Sequence, residues 1–144
     1  MVFRVGSTVE KILVVCPELA MTDNLIFLLQ YSGFQTINVT GSMQALAEVN
    51  RSSPDLILMR ENSRRLNGDE LCIRIRELSD VPIIVLGQEQ EEAAGVEFLE
   101  MGADVYLPTP LRFRELLARV RSLLRRTQAS SRNLKKIVEL ENAE

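Results

Sequence analysis

The sequence contains no histidine. That excludes imidazole acid–base catalysis, histidine phosphotransfer on this chain and the commonest zinc sites. Cysteine is nearly absent as well: Cys16 and Cys72 stand far apart and show no metal-ligand spacing. They read as reduced thiols rather than as a disulfide framework. Long hydrophobic runs are missing. Met1 to Ser7 lacks the apolar core of a signal peptide, and no run approaches the roughly 20 residues that span a bilayer. These absences predict a cytoplasmic protein with no membrane contact. A surplus of positive charge is missing too: the net charge is -3, with 17 basic and 20 acidic residues, which makes no overall case for nucleic acid.

What is present is a globular composition. The 144 residues are 46% apolar and 26% charged, enough for one domain with a proper core and a tail. Residues 1–10 read as a flexible leader, 11–127 as the domain and 128–144 as a linker or tail. The β-branched run Lys11 to Val15 predicts a first strand, closed by Pro17. Leu25, Ile26, Leu28 and Leu29 repeat at helical spacing, with Thr22 or Asp23 as cap and Gly33 as terminator. Phe34 to Val39 predicts a second strand. A helix follows from Gly41-Ser42, with Met43, Leu46, Ala47 and Val49 on one face. Asp69 caps a third helix carrying Leu71, Cys72, Ile75 and Leu78. Val81 to Leu86 and Asp104 to Leu107 predict strands four and five. Glu91 to Met101 predicts a helix weakened by Gly95, at a cost of about 1 kcal/mol against alanine. A last helix, Arg112 to Arg126, places Leu116, Leu117, Val120, Leu123 and Leu124 on one stripe.

The third strand, Leu56 to Arg60, is the pivot. Four apolar residues in a row predict a strand buried on both faces. Five strands alternating with five helices predict a doubly wound parallel α/β sheet of flavodoxin-like type. In such sheets ligands gather beyond the carboxyl ends of the strands. That place is held by Arg60, a permanent cation without nucleophilic capacity.

From Lys11 to about Arg126 the chain resembles a bacterial response-regulator receiver domain. The residues that carry the resemblance are Lys11-Ile12-Leu13-Val14-Val15, Pro54-Asp55-Leu56-Ile57-Leu58, Gly68, Val81-Pro82-Ile83-Ile84, Gly102-Ala103-Asp104, Tyr106-Leu107, Pro110 and Glu115 to Val120. The last helix is most similar to the winged-helix (OmpR/PhoB) subfamily of transcription regulators. The resemblance implies the strand order 2-1-3-4-5, and it also implies where the chemistry should be. Active receivers hold Mg²⁺ on two acidic residues after strand one; here those positions are Cys16 and Pro17, with Glu18 just beyond. The phosphoacceptor aspartate corresponds to Arg60, the strand-four hydroxyl residue to Gly87, and the lysine before the family's usually cis proline to Thr109. Phosphoryl transfer needs a nucleophilic carboxylate, a hard cation on oxygen ligands and donors for the equatorial oxygens. Each is replaced. Cys16, Pro17, Glu18, Arg60, Gly87 and Thr109 are therefore expected to form a degenerate phosphorylation site, with no catalytic residue, no metal and no cofactor.

Each remaining residue has a plain reading beside the functional one. Arg60 could mimic an occupied site by pairing with Glu18; a simple ion pair or solvent-facing side chain is the commoner arrangement. Glu61 and Asp55 read as structural, and Cys16 as an inert buried thiol rather than a redox sensor. Tyr106 matches the family's aromatic switch, for which Gly87 supplies no hydroxyl, and could equally be edge packing. Arg112, Arg114, Arg119, Arg121, Arg125 and Arg126 make the last helix basic, read as a solvated face in preference to a nucleic-acid patch. The resemblance implies a homodimer through helix 4, strand 5 and helix 5, with Asp104, Glu115 and Arg119 on matching positions. Gly95 replaces a basic partner there. Gln128 to Arg132 reads as a linker, and 133–140 as either helix or strand. A receiver piece of a longer regulator, which would touch DNA only through a further C-terminal winged-helix domain, is the favoured context. The expected function is a non-enzymatic, phosphorylation-independent regulatory module. The alternatives are a small-anion or metabolite-gated module using the emptied pocket, and a monomeric adaptor.

Overall fold

The computed structural model describes residues 9–17, 23–61, 68–87 and 92–142. The elements are β1 (Lys11–Val15), α1 (Asp23–Tyr31), β2 (Gln35–Val39), α2 (Ser42–Ser52), β3 (Leu56–Arg60), α3 (Gly68–Leu78), β4 (Ile83–Leu86), α4 (Glu92–Glu100), β5 (Val105–Leu107) and α5 (Phe113–Asn142). The five strands form one parallel sheet of order β2-β1-β3-β4-β5, as expected. The chain steps from β1 to β2, then returns past β1 to β3. With right-handed crossovers this reversal places α1 on one face and α2, α3 and α4 on the other. It also opens a crevice at the carboxyl ends of β1 and β3.

The central strands are continuous apolar runs because both of their faces are covered. On one face Leu13, Val15, Ile57, Met59, Ile83 and Val85 share a core with Ala45 and Val49 of α2, Leu71, Cys72 and Ile75 of α3, and Phe98 of α4. The alternate residues Ile12, Val14, Leu56, Leu58, Ile84 and Leu86 are at most 2% exposed. Asp55 is structural, as expected: its carboxylate accepts from the Lys11 amide at 2.7 Å and ties the start of β1 to β3.

Two glycines close helices by the same device. After α1, Gly33 (φ 99°) donates to the Gln30 carbonyl and Phe34 to that of Leu29. After α4, Gly102 (φ 117°) donates to Leu99 and Ala103 to Phe98. Both are Schellman turns, whose left-handed residue favours glycine.

Three local expectations change. Met43 is 80% exposed and Ala47 is exposed as well; α2 buries Ala45 beside the expected Val49, with Leu46 packed against them. Ala45 stands about 200° around the helix from Met43, so a helix that buries Ala45 turns Met43 outward. Leu78 ends α3 and is exposed rather than inward. Gln128 to Arg132, expected as a linker, lies inside α5, a single helix of 30 residues. That stretch holds neither proline nor glycine, and alanine, glutamine and arginine are good helix formers.

The chain divides into two units, Met1–Leu111 and Arg112–Glu144. In the second, Leu116, Val120, Leu123 and Leu124 are buried, and Ile137, Val138 and Leu140 are exposed.

Candidate functional site at the carboxyl edge of the sheet

Strand register brings the predicted residues into one row. Val15 pairs with Met59, so Cys16 follows β1 at the level where Arg60 ends β3. Arg60 pairs with Leu86, and Gly87 follows immediately. Backbone bonds hold this edge: the Cys16 amide donates to Val39 at 3.0 Å, Glu61 to Leu86 at 2.8 Å and Gly87 to Leu107 at 2.8 Å. Thr109 lies two residues beyond β5, and its bond to Pro110 is cis. Glu18 lies outside the described residues.

Cys16, Pro17 and Gly87 are buried, while Arg60 and Thr109 are half-buried. Both cysteines are buried thiols outside any disulfide, and Cys72 sits in the core on α3. The guanidinium of Arg60 forms no ion pair with any described residue. The donor set described here does not fit Mg²⁺, which takes hard oxygen ligands in octahedral geometry. The side chains in this row are a thiol, a proline ring and a fixed positive charge, none of which supplies an oxygen ligand. Among the described residues no three acidic, histidine or cysteine side chains converge on one point.

Tyr106 organises the site, and it does so through two glycines. Its ring stacks on Phe98 with centroids 5.7 Å apart and planes 18° from parallel. A Cβ on Gly87 would stand 1.8 Å from the phenolic oxygen and 2.3 Å from Cζ. A Cβ on Gly95 would come within 3.1 Å of Cδ1 on the same ring. The hydroxyl donates to the Glu61 carboxylate at 3.3 Å. Tyr106 therefore lies across position 87, packs against the core and reaches the residue after Arg60. It is more than edge packing. Neither Gly95 nor Glu61 is recognisable as a partner of Tyr106 from sequence, because i-to-j contacts across α4, β3 and β5 have no local pattern.

Asp104 is engaged within the chain. Its Oδ2 accepts from Arg76 Nη2 at 2.7 Å and from the Ile83 amide at 2.8 Å. Arg76 also donates through Nε to the Gly102 carbonyl at 2.9 Å and through Nη1 to that of Val81. One guanidinium thus joins the end of α3, the start of β4 and the turn before β5. Arg76 drew no attention as sequence, since its partners are backbone carbonyls remote along the chain. Glu115 and Arg119, the other residues expected on the dimer face, are both exposed on α5.

A family model described as "Response regulator receiver domain" matches residues 12–121. Among curated proteins, the sensory transduction protein RegX3 of Mycobacterium tuberculosis is 38% identical over 116 residues, covering 81% of this chain and 51% of that protein. The DNA-binding response regulator MtrA of Mycolicibacterium paratuberculosis is 34% identical over 132 residues, covering 92% of this chain and 59% of that protein. The chain thus spans little more than half the length of these relatives. Among solved structures, a two-component response regulator from Clostridium difficile superposes with a TM-score of 0.77 at 26% identity. That match covers 82% of this chain and 98% of the other.

Proposed function

This chain belongs to the response regulator receiver domain family, and from that premise we propose that it is a pseudo-receiver: a regulatory module that works without phosphorylation. One observation carries the reading. The acceptor position at the end of β3 is Arg60, and the neighbouring position 87 is a glycine covered by the Tyr106 ring. An arginine has no acceptor and no nucleophilic atom, and the missing side chain at 87 leaves nothing for an incoming phosphoryl group to draw upon. The equilibrium between receiver conformations is then set by packing, here the seat of Tyr106 between Gly87 and Gly95, instead of by a phosphate.

Output in this reading is self-association through the surface the resemblance assigns to α4, β5 and α5. Val96 and Leu99 on α4 are 55% and 47% exposed, and Arg119 on α5 is exposed. Apolar burial would drive such association while charges set register. Asp104 is already paired with Arg76, so Glu115 and Arg119 are the stronger candidates for cross-subunit contacts. The natural context is transcription regulation, as the names of relatives such as the DNA-binding response regulator MtrA suggest. DNA contact by that route belongs to a C-terminal domain.

The experiment is thermal unfolding with and without Mg²⁺ and beryllofluoride, beside sedimentation over a wide concentration range with no phosphodonor. No shift in Tm, together with a dimer weakened by Arg119→Ala, is the expected pair of results. Stabilisation by beryllofluoride would overturn phosphorylation independence; a monomer throughout would overturn dimer output and leave an adaptor role. The unpaired guanidinium among the described residues supports a second reading, a small-anion site at Arg60. Stabilisation by inorganic phosphate that disappears in Arg60→Ala would establish it.

A further inference from the structure

The overall charge of -3 hides a strong separation along the chain. Residues 112–136 hold nine of the 17 basic residues and only one acidic residue, Glu115; residues 1–111 hold 16 acidic residues against eight basic ones. Because Phe113–Asn142 is one continuous helix, its cations have a fixed register. Positions 114, 121, 125, 132 and 136 are separated by seven, four, seven and four residues. At 3.6 residues per turn these fall on a single face. Arg114, Arg121, Arg125 and Lys136 are all exposed. None of the four forms an ion pair with a described residue. No acidic residue interrupts the stripe before Glu139. At 1.5 Å per residue the stripe is about 33 Å long.

We propose that this outward stripe of α5 binds the phosphate backbone of double-stranded DNA, independently of base sequence. None of the stripe's residues belongs to the carboxyl edge of the sheet. Charge complementarity and length carry the argument. Duplex DNA offers about one negative charge per 1.7 Å of axis, so phosphates face the stripe along its whole run. An α-helix also fits the major groove of B-DNA, about 12 Å wide, whereas that of A-form RNA is too narrow. A second copy of this chain is the poorer partner. Its acidic α4 has nine residues and spans about 13 Å, too short to neutralise the stripe. An anionic membrane fits less well again. The apolar residues Leu116, Val120, Leu123 and Leu124 beside the basic face are already buried and unavailable for insertion. No aromatic residue lies between Arg114 and Lys136, which removes the stacking platform that single strands use.

The test is fluorescence anisotropy of the 144-residue chain with a labelled mixed-sequence DNA duplex of about three helical turns. Four phosphate contacts predict a loss of affinity on the order of a hundredfold between 50 and 200 mM salt. The double variant R121E/R125E should bind at least tenfold more weakly with an unchanged circular dichroism spectrum. The double variant R51E/R74E, which alters net charge equally, should bind like the parent. Equal weakening in both double variants would overturn the proposal, because the effect would then be net charge rather than the stripe. So would failure to bind the duplex at 50 mM salt, or tighter binding to duplex RNA or to phosphatidylserine vesicles. Loss of self-association in R121E/R125E with duplex affinity unchanged would likewise overturn it, assigning the stripe to a second copy.

Discussion

Gly87 and Tyr106 occupy each other's space: a single carbon added to Gly87 would lie 1.8 Å from the Tyr106 oxygen. The bare glycine at position 87 and the inward seat of the tyrosine are therefore one structural fact. Gly87→Ser should force the ring out of its place or displace β4. Overpacking of this kind costs about 1–3 kcal/mol. In a Tyr106→Ala background the same change should cost far less, giving a coupling of opposite sign in a double-mutant cycle. Additive effects would show that the ring does not lie over Gly87.

The same ring explains a weakness in α4. Gly95 lowers helix propensity, and alanine there would ordinarily contribute about 1 kcal/mol of stability. Its Cβ would press on Tyr106 at 3.1 Å, and the ring cannot retreat because its far end already abuts Gly87. Gly95→Ala should be neutral or destabilising in the parent and stabilising by about 1 kcal/mol in Tyr106→Ala. Chemical denaturation of the four proteins measures this, and a stabilised parent would contradict the packing account.

Arg76 and Asp104 brace the start of β4. Asp104→Ala leaves the Ile83 amide and one guanidinium edge unpaired, at a cost of about 1–2 kcal/mol. Arg76→Ala should cost more, since the Gly102 and Val81 carbonyls lose their donor too. Arg76→Lys should rescue little, because one ammonium cannot serve a planar fork of partners. Arg74→Ala is the comparison: its pair with Glu70 is exposed on both sides and should be worth at most a few tenths of a kcal/mol. Equal effects at 74 and 76 would refute the brace.

Supplying one carboxylate should not confer phosphoryl chemistry. Arg60→Asp supplies a carboxylate, yet Cys16 and Pro17 still offer no carboxylate side chain for a cation. Intact-mass analysis after incubation with a small phosphodonor and Mg²⁺ should find no adduct on Arg60→Asp. An adduct would mean that a cation site survives at this edge.

The far half of α5 should contribute helix content but little stability. Ile137, Val138 and Leu140 are exposed, so ending the chain after Thr127 removes no buried side chain among those described. Tm should change by less than about 2 °C, while the far-ultraviolet helical signal falls. A large drop in Tm would mean that these residues are covered by a partner, in solution a second copy.

Much of this protein was legible from its order of residues. The runs Ile12–Val15, Leu56–Met59 and Ile83–Leu86 announced a buried parallel sheet, since only strands covered on both faces tolerate unbroken apolar sequence. Arg60 at the end of β3 needed no coordinates to be identified as a side chain with no carboxylate to accept a phosphoryl group. Patterning was less decisive where several faces of a helix were apolar. Met43 matched the inward spacing of α2 yet turned outward, because the helix buries Ala45 on its opposite face. Gln128 to Arg132 looked like a linker because polar and small residues suit either state; without a breaker, the helix simply continued.

By itself, then, the sequence determined the sheet, its topology and the arginine at the carboxyl end of β3, since burial periodicity and side-chain chemistry are properties of residues along a line. Only the tertiary structure decided that Tyr106 lies over Gly87 against Gly95, that its hydroxyl meets Glu61, and that Asp104 is held by Arg76. Those relationships join residues brought together by separate crossovers of the chain, and whether two such side chains share or contest a space depends on distances that no local pattern encodes.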